Sequence, residues 1–287
     1  MTAPSISSRA AEPTSKLWFA TQPRYLAGRG DPRHITQALR AGGWKNISDA
    51  DLPQVALVSP DHLYSLLLEP EPEPYTMWWT LNGRRPEQAW GWTARFSSHT
   101  PVEILAALTD TLLQPEPDTA PEIWPLLTGA GWTHEHDERG DEIARHPDGI
   151  LSLRQWHTGT HGRYFWTVET PLPGHCNVWN ATLDDVIPQH LLAAFVSALA
   201  VDEPVQRAMY DVPHAHLVHH ERRGPQGEEL AAAHKARLET ARSLARKARR
   251  KTELLTTQSG PPAAVRAASG PPGRSASPTV ALTGRAR

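Results

Sequence analysis

The sequence predicts an α+β protein. It reads as two tandem repeats of helix, four antiparallel strands and helix, followed by a basic helix and a disordered tail. Three observations predict it. First, residues 60–113 align without a gap onto residues 147–200, a shift of 87, with 14 identities in 54 positions. Unrelated segments of ordinary composition match at roughly one position in sixteen. Second, apolar residues recur at helical spacing at both ends of each copy and alternate in the middle. Third, short turns join the alternating stretches, which implies an antiparallel meander rather than a doubly wound parallel sheet.

The expected boundaries are 1–16 for a disordered N-terminus, 17–115 and 120–220 for the two repeats, 221–255 for the basic helix and 256–287 for the tail. Each repeat opens with a short helix. Asp31 is the expected N-cap, with Pro32 at the first helical position, where its missing N–H costs nothing. Ile35, Ala38 and Leu39 share a face, and Gly42-Gly43 closes the helix, because glycine takes a left-handed cap cheaply. The second copy offers Ile123, Leu126 and Leu127, then Gly129 and Gly131. Its Pro125 has to sit in the first turn. Leu39, Gly43 and Trp44 match Leu127, Gly131 and Trp132 at a shift of 88.

Strands are expected at 54–58 and 63–68, around the turn Ser59-Pro60-Asp61-His62. Serine, proline and aspartate suit its successive positions. The second copy places His146-Pro147-Asp148-Gly149 between 142–145 and 150–156. Strands at 77–81 and 164–168 follow. The next, 89–96, puts Trp90, Trp92, Ala94 and Phe96 on one face; its counterpart puts Asn177, Trp179, Ala181 and Leu183 there. Thr100-Pro101-Val102-Glu103 reads as a capping box opening the closing helix. Its apolar stripe is Ile104, Leu105, Leu108 and Leu112, matched by Leu191, Leu192, Phe195 and Leu199.

Composition bounds the function. The chain has 287 residues, 39% hydrophobic and 21% charged, enough to bury a core. No apolar run reaches membrane-spanning length, and residues 1–16 hold no signal-peptide core. The single cysteine, Cys176, fits a reducing cytoplasm. The net charge of −2 hides a split: residues 1–221 hold 15 basic and 27 acidic residues, and residues 222–287 hold 14 and 4. An acidic body with a basic end points to an acidic partner, or to an end that folds back on its own body. In the basic segment Leu230, Leu238, Ala241, Leu244, Ala245 and Ala248 make a thin apolar stripe. Arg242, Arg246, Lys247, Arg249, Arg250 and Lys251 cluster near its C-terminal end, where the helix dipole favours cations.

The tandem unit resembles the actinobacterial SPDY family, also called domain of unknown function 317. The resemblance rests on the two signature turns and on Pro23-Arg24-Tyr25-Leu26-Ala27-Gly28. It also rests on the Gly43-Trp44 and Gly131-Trp132 pairs, on Phe96 to Pro101, and on Gln206-Arg207-Ala208-Met209-Tyr210, over roughly residues 18–220. Both signatures lack the family's tyrosine. The resemblance implies a streptomycete-like cytoplasmic setting and no established activity, substrate or cofactor.

Candidate chemistry is sparse. Ser59, Pro60, Asp61, Pro147 and Asp148 read as hairpin turns whose loss would slip strand register. Asp61 and Asp148 would act as paired acids only if the repeats brought their turns together. The recurring Trp44/Trp132, Trp79/Trp166 and Trp92/Trp179 pairs read as core, whereas Trp78 and Trp90 leave a second aromatic face for inter-repeat packing or for a ligand. Histidine clusters occur at His134/His136, His157/His161 and His214/His216/His219/His220. No HExxH is present, and His134 with His136 reads as part of a solvated acidic turn, so no metal and no cofactor is assigned. No GxSxG, GxxxxGK[ST] or GxGxxG occurs. The expected function is therefore a non-catalytic cytoplasmic binding or interaction protein. Its basic arm, Arg242 to Lys251, would contact nucleic acid or an acidic protein, and no membrane. The alternative is an enzyme with a site between the repeats.

Overall fold

The two repeats share one sheet. A computed structural model describes residues 17–70, 76–84, 90–158, 163–172, 177–208, 211–222 and 226–258. The chain forms two compact units, residues 1–248 and 249–287. In the first repeat α1 (Arg33–Ala41) leads into β2 (Lys45–Asn46), β3 (Val55–Val58), β4 (Tyr64–Leu68), β5 (Met77–Gly83), β6 (Trp92–Ser97) and α2 (Val102–Thr111). The second has α3 (Ile123–Gly129), β7 (Thr133–His136), β8 (Glu142–Arg145), β9 (Ser152–Thr158), β10 (Arg163–Glu169), β11 (Asn180–Asp184) and α4 (Gln189–Leu199). The ten strands run β2-β3-β4-β5-β6-β11-β10-β9-β8-β7, every neighbouring pair antiparallel.

The order is a mirror image about the β6–β11 junction. Ala94 pairs with Leu183, Arg95 with Thr182 and Phe96 with Ala181. Under the 87-residue shift each residue of β6 thus faces the equivalent of its symmetric neighbour, which places a local two-fold axis at Arg95 and Thr182. The four helices pack together, α1 on α2, α2 on α4, and α4 on α3. Phe96 meets Phe195 edge-on at 5.5 Å, and both are fully buried. Trp79, Trp92, Trp166 and Trp179 are all buried.

Each repeat carries five strands rather than the expected four. The extra ones, β2 and β7, are short and polar and lie at the two ends of the sheet, so they show no alternation to read. Polar, brief edges also discourage pairing with other chains. The strand expected from residue 89 begins at Trp92; Trp90 is 80% exposed, and Ala89 lies outside the described residues. Helix α1 starts one residue later than expected: Pro32, not Asp31, is its N-cap, because Asp31 stands one residue further out and its Oδ1 accepts the Arg33 N–H at 2.9 Å. Pro125 falls in the first turn of α3, as expected. Gly43 and Gly131 are left-handed, and the N–H groups of Trp44 and Trp132 close back on Leu39 and Leu127. The capping box does not form: α2 has no side-chain cap, because Glu103 is engaged by Arg207.

A second, three-stranded sheet ties the ends of the first unit together. Strand β1 (Trp18–Gln22) pairs antiparallel with β12 (Val205–Ala208) on one side and β13 (His219–Glu221) on the other. A long helix, α5 (Gly227–Gln258), follows. It runs past the expected boundary at 255, so residues 256–258 are helical rather than tail. The expected disordered segment 1–16, residues 259–287 of the tail, Cys176, and Met209-Tyr210 lie outside the described residues.

Candidate functional site

The two signature turns are built alike but used differently. In the first, the His62 N–H bonds back to the Ser59 carbonyl, Asp61 Oδ1 accepts from the Leu63 N–H and the Ser59 hydroxyl, and Ser59 Oγ accepts the Tyr64 N–H. His62 takes a positive φ of 61°, the place glycine fills in the second copy, where Gly149 has 75°. In the second turn Asp148 Oδ1 accepts the Ile150 N–H and lies 2.9 Å from His146 Nδ1. Asp148 also accepts the Tyr25 hydroxyl. Burial pushes the Asp148 carboxyl up, but the Tyr25, Ile150 and His146 hydrogen bonds outweigh it and leave the group below its ordinary value. Burial, reinforced by the Asp148 carboxylate, raises the Tyr25 phenol.

These turns do not meet. Four strands, β5, β6, β11 and β10, separate β4 from β9, so the two strands are about 24 Å apart across the sheet at the usual spacing. Five antiparallel steps also place the turns at opposite ends of the sheet. Asp61 and Asp148 are therefore not a pair of cooperating acids. Asp61→Ala is expected to lower stability by about 1 kcal/mol, and Asp148→Ala by about 1–3 kcal/mol more, because it also strands a buried phenol. Urea midpoints of the two variants check this; equal losses would show that Tyr25 gives the second turn no special role.

The segments that carry the family resemblance converge. Arg207, almost wholly buried on β12, donates to the carbonyls of Ala27 and Gly28 at 3.1 Å each. It also clamps Glu103 of α2 at 2.7 and 2.6 Å. Burial pushes Glu103 up, yet the Arg207 charge and hydrogen bonds bring it below its ordinary value. Gly30 is required at this clamp: it has φ +73°, and a Cβ there would stand 2.8 Å from Val102 and 3.0 Å from Arg207. The Trp179 indole donates to the Tyr25 carbonyl at 2.7 Å. The equivalent Trp92 Nε1 has no acceptor among the described residues, so this indole contact is made to the second repeat, while Arg207 ties the same segment to α2 of the first. Of the second aromatic face, Trp78 is buried with Arg29 4.5 Å from its ring centre, whereas Trp90 is exposed.

Helix α5 docks on α1 and α2 through its first half. Arg237 forks onto Asp110 at 3.2 and 2.5 Å and donates to the His34 carbonyl. His234 Nε2 lies 2.8 Å from Gln37 Oε1, and Ala241 is buried. Desolvation, with the Arg237 charge beside it, holds His34 down to about 4, and burial leaves Asp110 raised despite its Arg237 partner. The predicted apolar stripe omitted these polar anchors and included Ala248, which is exposed. Among the six arm cations, Arg242 pairs with Glu239 of the same helix. Arg246 and Lys247 of the first unit, and Arg249, Arg250 and Lys251 of the second, are exposed and form no ion pair among the described residues.

His134 and His136 do not lie in a turn: they stand on β7, with Glu142 on β8 beside them, and the turn is the four residues after His136. Of the C-terminal histidines, His220 Nδ1 bonds the Thr21 hydroxyl at 3.0 Å and His219 Nε2 lies 3.3 Å from Glu221. Where the connection between repeats meets the start of α4, a hollow is lined by Glu116, Asp118, Asp185, Gln189 and His190. His190 Nδ1 sits 3.5 Å from Glu116, and the hollow has no hydroxyl or thiol nucleophile in its lining.

This fold defines a class: an α+β protein made of two copies of one domain fused through a shared sheet. The family model SPDY, a domain of unknown function (DUF317), matches two stretches of the chain, residues 58–118 and 146–205, consistent with two tandem copies. No curated protein and no solved structure matches. Among the described residues, no helix is long and apolar enough to cross a membrane.

Proposed function

We propose that the protein is a non-catalytic cytoplasmic interaction protein in which the SPDY pair is a scaffold and the basic arm of α5 holds nucleic acid. The observation that carries this reading is the division of labour along α5. One arginine, Arg237, is committed to the acidic body, whereas Arg246, Lys247, Arg249, Arg250 and Lys251 are exposed and unpaired among the described residues. An arm of this kind binds phosphates through charge density, with free energy supplied by released counterions. It has no aromatic side chain to stack on bases, so it reads no sequence.

The test replaces Arg246, Lys247, Arg249, Arg250 and Lys251 with glutamine in the full chain. Truncation at His220 is unsuitable: it would cut β13 and remove the Arg237–Asp110 dock. Fluorescence anisotropy with two labelled duplexes of different sequence is expected to give similar affinities. The dependence of log K on log salt should have a slope of about −4.5, from about 0.9 for each of five phosphate contacts. The glutamine variant should lose the binding. Equal binding by both proteins, or no binding at low salt, would overturn the reading.

A further inference from the structure

We infer that His134, His136 and Glu142 form a binding site for a divalent transition ion of the zinc class. Residues two apart on a strand share a face, so β7 presents both imidazoles on one side. The antiparallel register sets Glu142 directly opposite His136, and its carboxylate reaches both rings. Oε2 lies 3.0 Å from His134 Nε2, and Oε1 lies 3.7 Å from His136 Nδ1. The three donor atoms all lie within 4.8 Å of one another. Bonds of about 2.0–2.2 Å to a central ion need them a little closer. His136 can make that adjustment, because its side chain is 63% exposed.

The rest of the surroundings suits an ion. Trp124 of α3 stacks on the His134 ring at 4.4 Å and 16°, which fixes the ring plane with Nε2 aimed at the carboxylate. The exposed His136 side chain leaves the site open to solvent on one side. Two imidazoles and one carboxylate leave a fourth tetrahedral position for water, and nitrogen donors favour zinc, cobalt, nickel or copper over magnesium or calcium.

The duplication supplies an internal comparison. At the corresponding positions the first repeat carries Asn46, Ser48 and Val55 on and beside β2 and β3. The fold forms there without the donor set, so three ligating side chains at this edge are not a requirement of the sheet. The ordinary alternative is that the Glu142 carboxylate only bonds His134 and lies beside His136, with no ion between them.

The experiment titrates the full-length, chelator-stripped protein with Zn2+ by calorimetry at about pH 7, where neutral imidazole is available. Visible spectra with Co2+ report the coordination. One ion per chain is expected, with the absorption of tetrahedral or five-coordinate cobalt. His136→Ala and Glu142→Gln should each weaken binding by at least about tenfold. His136→Ala removes an exposed side chain and should leave the unfolding temperature of the metal-free protein unchanged. A control that changes His216 and His219 to alanine should retain full affinity. Binding insensitive to His136→Ala and Glu142→Gln, binding lost in the control, or no uptake of Zn2+ at micromolar concentration would each overturn the assignment.

Discussion

Arg207→Met is expected to lower the thermal unfolding midpoint by roughly 6–20 °C. Removing one partner of a buried ion pair leaves an uncompensated charge, at about 3–5 kcal/mol. For a unit of this size each kcal/mol shifts the midpoint by roughly 2–4 °C. Here the loss includes the donors to the Ala27 and Gly28 carbonyls as well as the clamp on Glu103. The pH dependence follows from the lowered Glu103 carboxyl. Its stabilisation is complete above the unfolded value of about 4.3 and is lost as pH falls through the folded one. In the variant Glu103 is relieved by protonation instead. The gap between wild type and variant should therefore narrow as pH falls, first through protonation of Glu103 in the variant above the unfolded value of about 4.3 and then through loss of the wild-type clamp below it. Calorimetry across that range decides it; a constant gap would show that Arg207 acts through packing and its backbone contacts alone.

Phe96→Ala should match that effect and spread further. Phe96 is fully buried where the two repeats join, against Phe195 and across from Ala181. Truncating a buried phenylalanine costs about 3–5 kcal/mol. The junction belongs equally to both copies, so the loss should be shared. Hydrogen exchange is expected to show protection falling in β4 and β5 and, to the same extent, in β9 and β10. Loss confined to one repeat would mean that the copies unfold independently and that the shared sheet does not couple them.

The sequence reading found the repeat because both copies preserve what a core preserves: Trp79 and Trp166, Trp92 and Trp179, Leu105 and Leu192 are all buried. Turn chemistry was equally legible at Pro60, Asp61 and Pro147, which act through local geometry, but the bond that Asp148 accepts from Tyr25, 123 residues away, was not. The fusion of the two sheets was not legible. Ala94 and Phe96 look the same whether the strand beside β6 is β11 or solvent. The capping box misled because Glu103 had a partner 104 residues away, and a long-range charge pair outweighed a local backbone contact. The same blindness hid Glu142. Nothing in the spacing of His134 and His136 names it; the antiparallel register does. The polar anchors of α5 were missed for a related reason, because an arginine on an otherwise apolar stripe reads as a breach until Asp110 is seen opposite it.

The small sheet around β1 bears on how the chain is made. Thr21 precedes His220, its neighbour across that sheet, by 199 residues. At roughly 5–20 residues per second, β1 waits about 10–40 s on the ribosome for its partners. Through that interval the backbone of β1, which includes Trp18 and Phe19, lacks the strands that flank it in the folded sheet. A chain released between Asp184 and Val205 therefore carries every strand of the shared ten-stranded sheet, while its first strand still lacks both of its partners.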